Sequence, residues 1–204
     1  ILRLFDGLIV ITDTIARDFA PGVPFLRVEG GIKPNLIEQF SRFEHHSARE
    51  PEYFSIVVAG GLEEANGIRE VLAAFKMLDG ERYRLLIAGS GPLLNLIIEA
   101  AAQDRRIRYL GFLPFEEVLK LYAAADVLVN MRITKRLNTS YFFPSKIMEY
   151  LASGIPVIST APANIAEEYA QFAFILKDET PESLAALIKF VDQIPEAERQ
   201  KKSR

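Results

Sequence analysis

Phe54-Ser55-Ile56-Val57-Val58-Ala59-Gly60-Gly61 is a short stretch, apolar at almost every position, that ends in a pair of glycines. Apolar side chains on both alternating sets of positions make residues 54–59 a strand buried on two faces, as inside a parallel sheet. Runs of the same kind recur at 84–88, 107–110, 126–130, 156–160 and 173–176. Between them, helical periodicity predicts helices at 65–78, 92–103, 115–123, 144–153, 164–170 and 181–194. Val71, Ala74, Phe75 and Leu78 share one face of the first helix. Pro92, Pro144 and Pro181 stand where a first-turn proline is tolerated, and Gly80 and Gly154 are placed to close helices. Strand and helix in alternation imply an α/β fold with a doubly wound parallel sheet, whose ligands bind beyond the carboxyl ends of the strands.

Residues 51–195 carry this pattern. Residues 1–50 read differently, with strands expected at 8–11 and 25–28, a short helix beginning near Thr12 or Asp13, and a polar linker over 34–51. The first strand-like run follows Ile1-Leu2-Arg3 almost at once and no Met precedes it, so the chain is expected to be a fragment of something longer. Residues 196–204 carry Arg199, Lys201, Lys202 and Arg204 without apolar periodicity and are expected to be a solvated tail.

Composition narrows the function. The 204 residues hold 24 Lys and Arg against 27 Asp and Glu, a net charge of −3, which disfavours a dedicated nucleic-acid binder. Without cysteine there is no disulfide frame, thiolate metal cluster or thiol nucleophile, and a cytoplasmic location is the expectation. Apolar runs such as those at 8–11 and 85–88 fall far short of the ~20 residues that span a bilayer. His45 and His46 are adjacent in the polar linker without a companion ligand and read as exposed histidines rather than a metal site.

The chemistry concentrates between Asn138 and Thr160, where a polar loop enters a helix and returns through Gly154 to a strand. At that helix start, free N–H groups and the positive end of the dipole at Ser145 and Lys146 favour an anion, and Lys146 adds a full charge. Glu149, three positions on, lies on a similar side, so a phosphate on Lys146 and a hydroxylated sugar on Glu149 would suit a nucleotide. The competing reading is an exposed Lys146–Glu149 pair of little energetic weight. Ala59-Gly60-Gly61 and Gly89-Ser90-Gly91-Pro92 both stand at strand carboxyl ends, where backbone turns tightly or approaches a ligand. Leu94 occupies the place where a dinucleotide fingerprint needs glycine, and Asp126 begins a strand where a receiver aspartate should end one. Leu110-Gly111-Phe112-Leu113-Pro114 offers an aromatic and backbone amides to a flat base, or else a strand exit with Phe112 in the core.

Taken in order, Gly60-Gly61-Leu62, Ile87-Ala88-Gly89-Ser90-Gly91-Pro92, Leu110-Gly111-Phe112-Leu113, Tyr122-Ala123-Ala124-Ala125-Asp126-Val127 and Pro144-Ser145-Lys146-Ile147-Met148-Glu149-Tyr150-Leu151-Ala152-Ser153-Gly154-Ile155-Pro156 resemble the C-terminal, donor-binding domain of GT-B glycosyltransferases, in particular family 4. The resemblance covers about Tyr53 to Val191, and residues 1–50 resemble the end of the acceptor domain and the crossing that follows it. It implies a Rossmann-like donor half of a retaining enzyme that moves a sugar from a nucleoside diphosphate, UDP or GDP, to a glycan or glycolipid, as in polysaccharide biosynthesis. No metal or other cofactor is implied. The acceptor would be held by the missing N-terminal domain, so this half alone is expected to be inactive and to contain no assignable catalytic base. A place at the inner face of the membrane, by peripheral contact, is compatible with the family. Carried onto matching positions, Glu149 would bind the ribose, Ser145 and Lys146 the diphosphate, and Phe112 and Leu113 the base, with Gly60, Gly61, Ser90 and Gly91 lining the cleft.

Three positions depart from the family. Tyr141 stands where a second glutamate commonly contacts the donor sugar, and Gly61 and Asn66 stand where an Arg and a Lys commonly hold the diphosphate. Lys146 is therefore expected to supply the charge, helped by Arg132, Lys135 or Arg136, whose other reading is a solvated loop. These departures also motivate the alternative of a degenerate GT-B-like domain that binds or scaffolds without catalysis.

Overall fold

The computed structural model describes residues 4–43, 52–136, 139–143, 145–160 and 167–202. Six strands form one sheet, β3 (Phe54–Gly61), β4 (Tyr83–Ser90), β5 (Ile107–Tyr109), β6 (Val127–Asn130), β7 (Val157–Thr160) and β8 (Phe174–Leu176). Their order is β5-β4-β3-β6-β7-β8 and every pairing is parallel, which is the expected doubly wound architecture. A smaller sheet pairs β1 (Leu8–Val10) with β2 (Phe25–Arg27), also in parallel, across helix α1 (Asp13–Phe19). Thr12 starts that helix with its hydroxyl accepting the Ile15 N–H.

Alternation along β3 explains the two-faced burial. Ile56 and Val58 point into one core with helices α3 (Ile68–Lys76), α4 (Leu94–Gln103) and α8 (Pro181–Gln193). Val57 and Ala59 point into the other, with α5 (Phe115–Ala123) and α6 (Lys146–Ala152). Pro181 occupies the first turn of α8, where Thr180 accepts the Ser183 N–H, and Gly154 follows α6 with φ +69°. The predicted helix over 65–78 divides into a 3-10 turn at Glu64–Asn66 and α3, separated by Gly67 at φ +64°. Short α7 (Glu167–Ala170) occupies the end of the helix expected at 164–170. Its first residues, with Pro144, His45, His46 and Arg204, lie outside the described residues.

Two segments differ from the reading of the sequence. Within the expected linker, Leu36–Phe43 forms α2, with Leu36 and Phe40 buried against α5 and α6 and the Phe40 ring stacked on Tyr122 at 6.4 Å. In the expected tail, Glu196–Lys202 forms α9, which is tied down by polar contacts rather than an apolar stripe. Arg199 is only 7% exposed, 3.8 Å from the Asp126 carboxylate and 5.1 Å from the Phe54 ring centroid. Lys202 donates to the Gln171 carbonyl at 3.1 Å. Among the described residues no helix is long and apolar enough to cross a membrane.

The sheet order reverses between β3 and β6. β3 stays in register with β4 as far as Gly61 opposite Ser90, whereas its pairing with β6 ends at Val57 opposite Leu128. The two strands therefore part before their carboxyl ends, where a doubly wound sheet receives its ligand.

Candidate functional site

A cleft of about 220 Å³ opens at those carboxyl ends. Gly60, Gly61, Ser90, Phe112, Leu113 and Lys146, all expected from the sequence, line it. Ala59, Ala88, Gly89 and Val118 join them. Ala59 and Gly89 belong to the two strand-end stretches singled out in the sequence, whereas Ala88 and Val118, a small and an aliphatic residue, carry no chemical signal that sequence reasoning could have used.

The floor is main chain. A Cβ at Gly89, where φ is +139°, would lie 1.9 Å from the Gly60 carbonyl oxygen, so only glycine lets β3 and β4 stay paired here. Gly91, expected to line the cleft, instead presses on the adjacent backbone, with a Cβ position 2.5 Å from the Leu62 carbonyl oxygen. It shapes the loop and stands outside the lining.

Tyr150 holds the place where β3 and β6 part. Its hydroxyl accepts the Ala59 N–H at 3.1 Å and lies 3.3 Å from the Ala59 carbonyl oxygen, giving the strand a substitute for the partner it has lost. The ring is fully buried and meets Tyr122 edge-on at 5.0 Å. Burial pushes the Tyr150 phenol up to about 12 and the Tyr122 phenol upward as well, so both are neutral hydrogen-bonding groups at ordinary pH.

Lys146 is the first residue of α6, and its aliphatic stem lies along Gly60, with Cε 3.6 Å from where a Cβ would stand. A cation at a helix N-terminus runs against the dipole. Two contacts offset it, Glu149 Oε2 at 3.2 Å and the Tyr122 hydroxyl at 3.4 Å. The Lys146–Glu149 pair of the simpler reading therefore exists, and it is partly buried, with side chains 29% and 32% exposed. Glu149 reaches the cleft through Lys146 and is not itself part of the lining, and Ser145 is exposed just before the helix without capping it.

At the rim, Phe112 is 78% exposed, so the core reading of this residue fails. The departures from the family are also resolved in position. Tyr141 donates to Asp18 at 2.7 Å and packs on Phe19 at 5.4 Å, facing α1. Asn66 donates through Nδ2 to the Gly61 carbonyl at 2.6 Å. Lys135 is exposed, as a solvated loop requires, while Arg132 is half-buried beside Asn66 and contradicts that reading. The side chain of Arg136 lies outside the described residues.

Comparison with known proteins identifies the fold and the family. The chain is 30% identical to the putative colanic acid biosynthesis glycosyltransferase WcaL of Salmonella typhimurium, over 72% of this chain and 38% of that protein. It is 27% identical to the O-antigen chain mannosyltransferase B of Escherichia coli, over 63% of this chain and 34% of that protein. The chain thus spans little more than a third of these curated relatives. Among solved structures, Anabaena HepE in complex with UDP and glucose superposes with a TM-score of 0.72 at 16% identity, over 97% of this chain and 56% of that one. WaaG, a glycosyltransferase involved in lipopolysaccharide biosynthesis, superposes with a TM-score of 0.73 at 17% identity, over 97% and 57%. These likenesses show the fold, that of GT-B glycosyltransferases. A model described as Glycosyl transferases group 1 matches residues 53–191, and the chain belongs to that family.

Proposed function

We propose that this chain is the donor-binding half of a retaining glycosyltransferase, which takes a sugar from a nucleoside-diphosphate sugar for transfer to a glycan or glycolipid acceptor. The observation that carries this reading is the cleft at the parting of β3 and β6, floored by Gly60 and Gly61, with one cation laid across the floor and one aromatic ring exposed at the rim. Departure of the nucleoside diphosphate builds negative charge on its phosphates, and a preorganised cation beside main-chain amides stabilises that charge where it develops. Lys146 takes this role, Glu149 the ribose hydroxyls, and Phe112 with Leu113 the base. Residues 1–50 belong with an acceptor domain, which holds the second substrate. The UDP bound by HepE supports a nucleotide ligand, and UDP and GDP donors both suit this cleft.

Calorimetric titration with UDP, GDP and ADP tests the reading. Selective binding of one of them, weakened at least about tenfold in Lys146→Ala, is the expected result. No binding, or binding indifferent to the substitution, would overturn it. Retention is checked in the enzyme that includes the acceptor domain, from the anomeric configuration of the product.

One observation favours a second reading, binding or scaffolding without catalysis. Tyr141 places a phenol against Asp18 where related enzymes commonly have a carboxylate for the donor sugar. Nucleotide binding without any transfer or donor hydrolysis by the two-domain protein would select it.

A further inference from the structure

Arg132, in the loop leaving β6, is closely placed by its neighbours. Met131 and Ile133 on either side are buried. The Arg132 N–H donates to Thr160 Oγ1 at 2.9 Å, the Ile133 N–H to the Ala65 carbonyl at 3.0 Å, and the Thr134 N–H to the Glu179 carboxylate at 2.9 Å. This pinned alternation sends the Arg132 side chain to the 3-10 turn at Glu64–Asn66, where its guanidinium donates to Asn66 Oδ1. Asn66 in turn donates to the Gly61 carbonyl, so the charge stands one side chain away from the glycine pair that floors the cleft.

The cation has Glu63 as a charged neighbour, with a carboxylate oxygen 3.5 Å from where a Gly61 Cβ would stand, but no direct ion pair. Among the described residues no carboxylate pairs with it, and its Nε is buried without a hydrogen-bond partner. Burial lowers its pKa from the ordinary guanidinium value, against the opposing field of Glu63. A guanidinium half-withdrawn from water with Asn66 as its hydrogen-bond partner and no direct ion pair is a cost to the fold, and a flexible loop would have released it to solvent. Three main-chain bonds and two buried neighbours prevent that release.

We infer that Arg132 is the second cation of the anion site, and that the direct ion-pair partner it lacks among the described residues is brought by the diphosphate of a nucleotide seated on Gly60 and Gly61. Lys146 meets that diphosphate at Gly60, and Arg132 meets it beside Gly61. A nucleoside diphosphate carries more charge than one lysine neutralises, and the planar guanidinium fork suits phosphate oxygens. This inference rests on the donor-nucleotide reading and adds a specific charge to it. The competing role is mechanical, with Arg132 acting only as a brace that fixes Asn66 and through it Gly61.

Arg132→Gln separates the two, because glutamine keeps a donor for Asn66 and loses the charge. Titration of the chain and of this variant with UDP, GDP and ADP is combined with thermal denaturation of both without nucleotide. The expected result is an affinity at least about tenfold lower for whichever diphosphate the parent binds, with a melting temperature equal to or above the parent's, since a half-buried unpaired charge has been removed. Unchanged diphosphate affinity in the folded variant would overturn the role of Arg132 and leave the donor reading standing. A joint fall of affinity and melting temperature would identify the brace and also overturn the proposal. Failure of the parent chain to bind any of the three would overturn the donor reading, and this inference with it.

Discussion

The hydroxyl of Tyr150 accepts the main-chain N–H of Ala59 at 3.1 Å, one residue before the glycine pair of the cleft. A side chain of the helix that carries Lys146 and Glu149 thus closes the strand end along which the Lys146 stem lies. Tyr150→Phe leaves the Ala59 N–H buried and unpaired, which costs about 1–3 kcal/mol. In a chain of this size each kcal/mol lowers the melting temperature by about 2–4 °C, and thermal denaturation checks it.

The same two phenols set an alkaline limit. Burial raises the Tyr150 pKa from 10.0 to about 12 and raises that of Tyr122 too, so the unfolded chain loses these protons before the folded one does. Their contribution is fully present below pH 10 and is lost as pH rises toward 12 and beyond. Denaturant unfolding across pH 9–12 should show stability falling from about pH 10 upward, and less steeply in Tyr150→Phe.

The acid limb has a separate origin. Asp104 accepts from the Arg106 guanidinium, Nε at 3.0 and 3.1 Å and a terminal nitrogen at 2.7 Å, and this pairing holds its carboxyl below the ordinary 3.8. Arg106 also reaches the Leu78 carbonyl at 2.6 Å, joining the end of α4 to the segment after α3. The stabilisation is present above pH 3.8 and is lost as pH falls through the depressed value. Asp104→Asn should cost about 1–2 kcal/mol near neutrality and less at pH 2, measured by urea unfolding at both.

Phe112 and Gly89 are expected to behave oppositely. Phe112→Ala removes an exposed ring, so unfolding free energy stays within about 0.5 kcal/mol while affinity for a nucleotide falls by about 0.5–1.5 kcal/mol. Gly89→Ala drives a methyl group into the Gly60 carbonyl and should cost more than about 4 kcal/mol, seen as loss of the cooperative unfolding transition.

The main sheet was legible because its strands are continuous apolar runs, and its expected and observed bounds differ by one or two residues at most ends. Helix α2 was missed although Leu36, Phe40 and Phe43 recur at helical spacing, because the polar and charged residues around them, Glu38, Gln39 and Arg42 among them, made the stretch read as a linker. Helix α9 was hidden for a different reason, since its anchor is Arg199, a residue whose burial depends on Asp126 far away in the chain. At the site, the glycine pairs, Phe112 and Lys146 announce themselves by type and by position at strand or helix ends. Arg132 does not, because nothing local distinguishes a pinned arginine from a solvated one. Only the tertiary partners of Met131, Ile133 and Thr134 make that difference.

The contact between Gly89 and the Gly60 carbonyl also bears on how such a domain can change over time. A floor made of peptide groups offers mutation no side chain to vary, and replacing its glycines forfeits the sheet. Divergence in ligand preference is therefore channelled to the perimeter, to positions such as the exposed Phe112, whose side chain takes no part in the pairing of β3 and β4. Relatives that share this floor can drift apart in what they recognise while keeping the same scaffold.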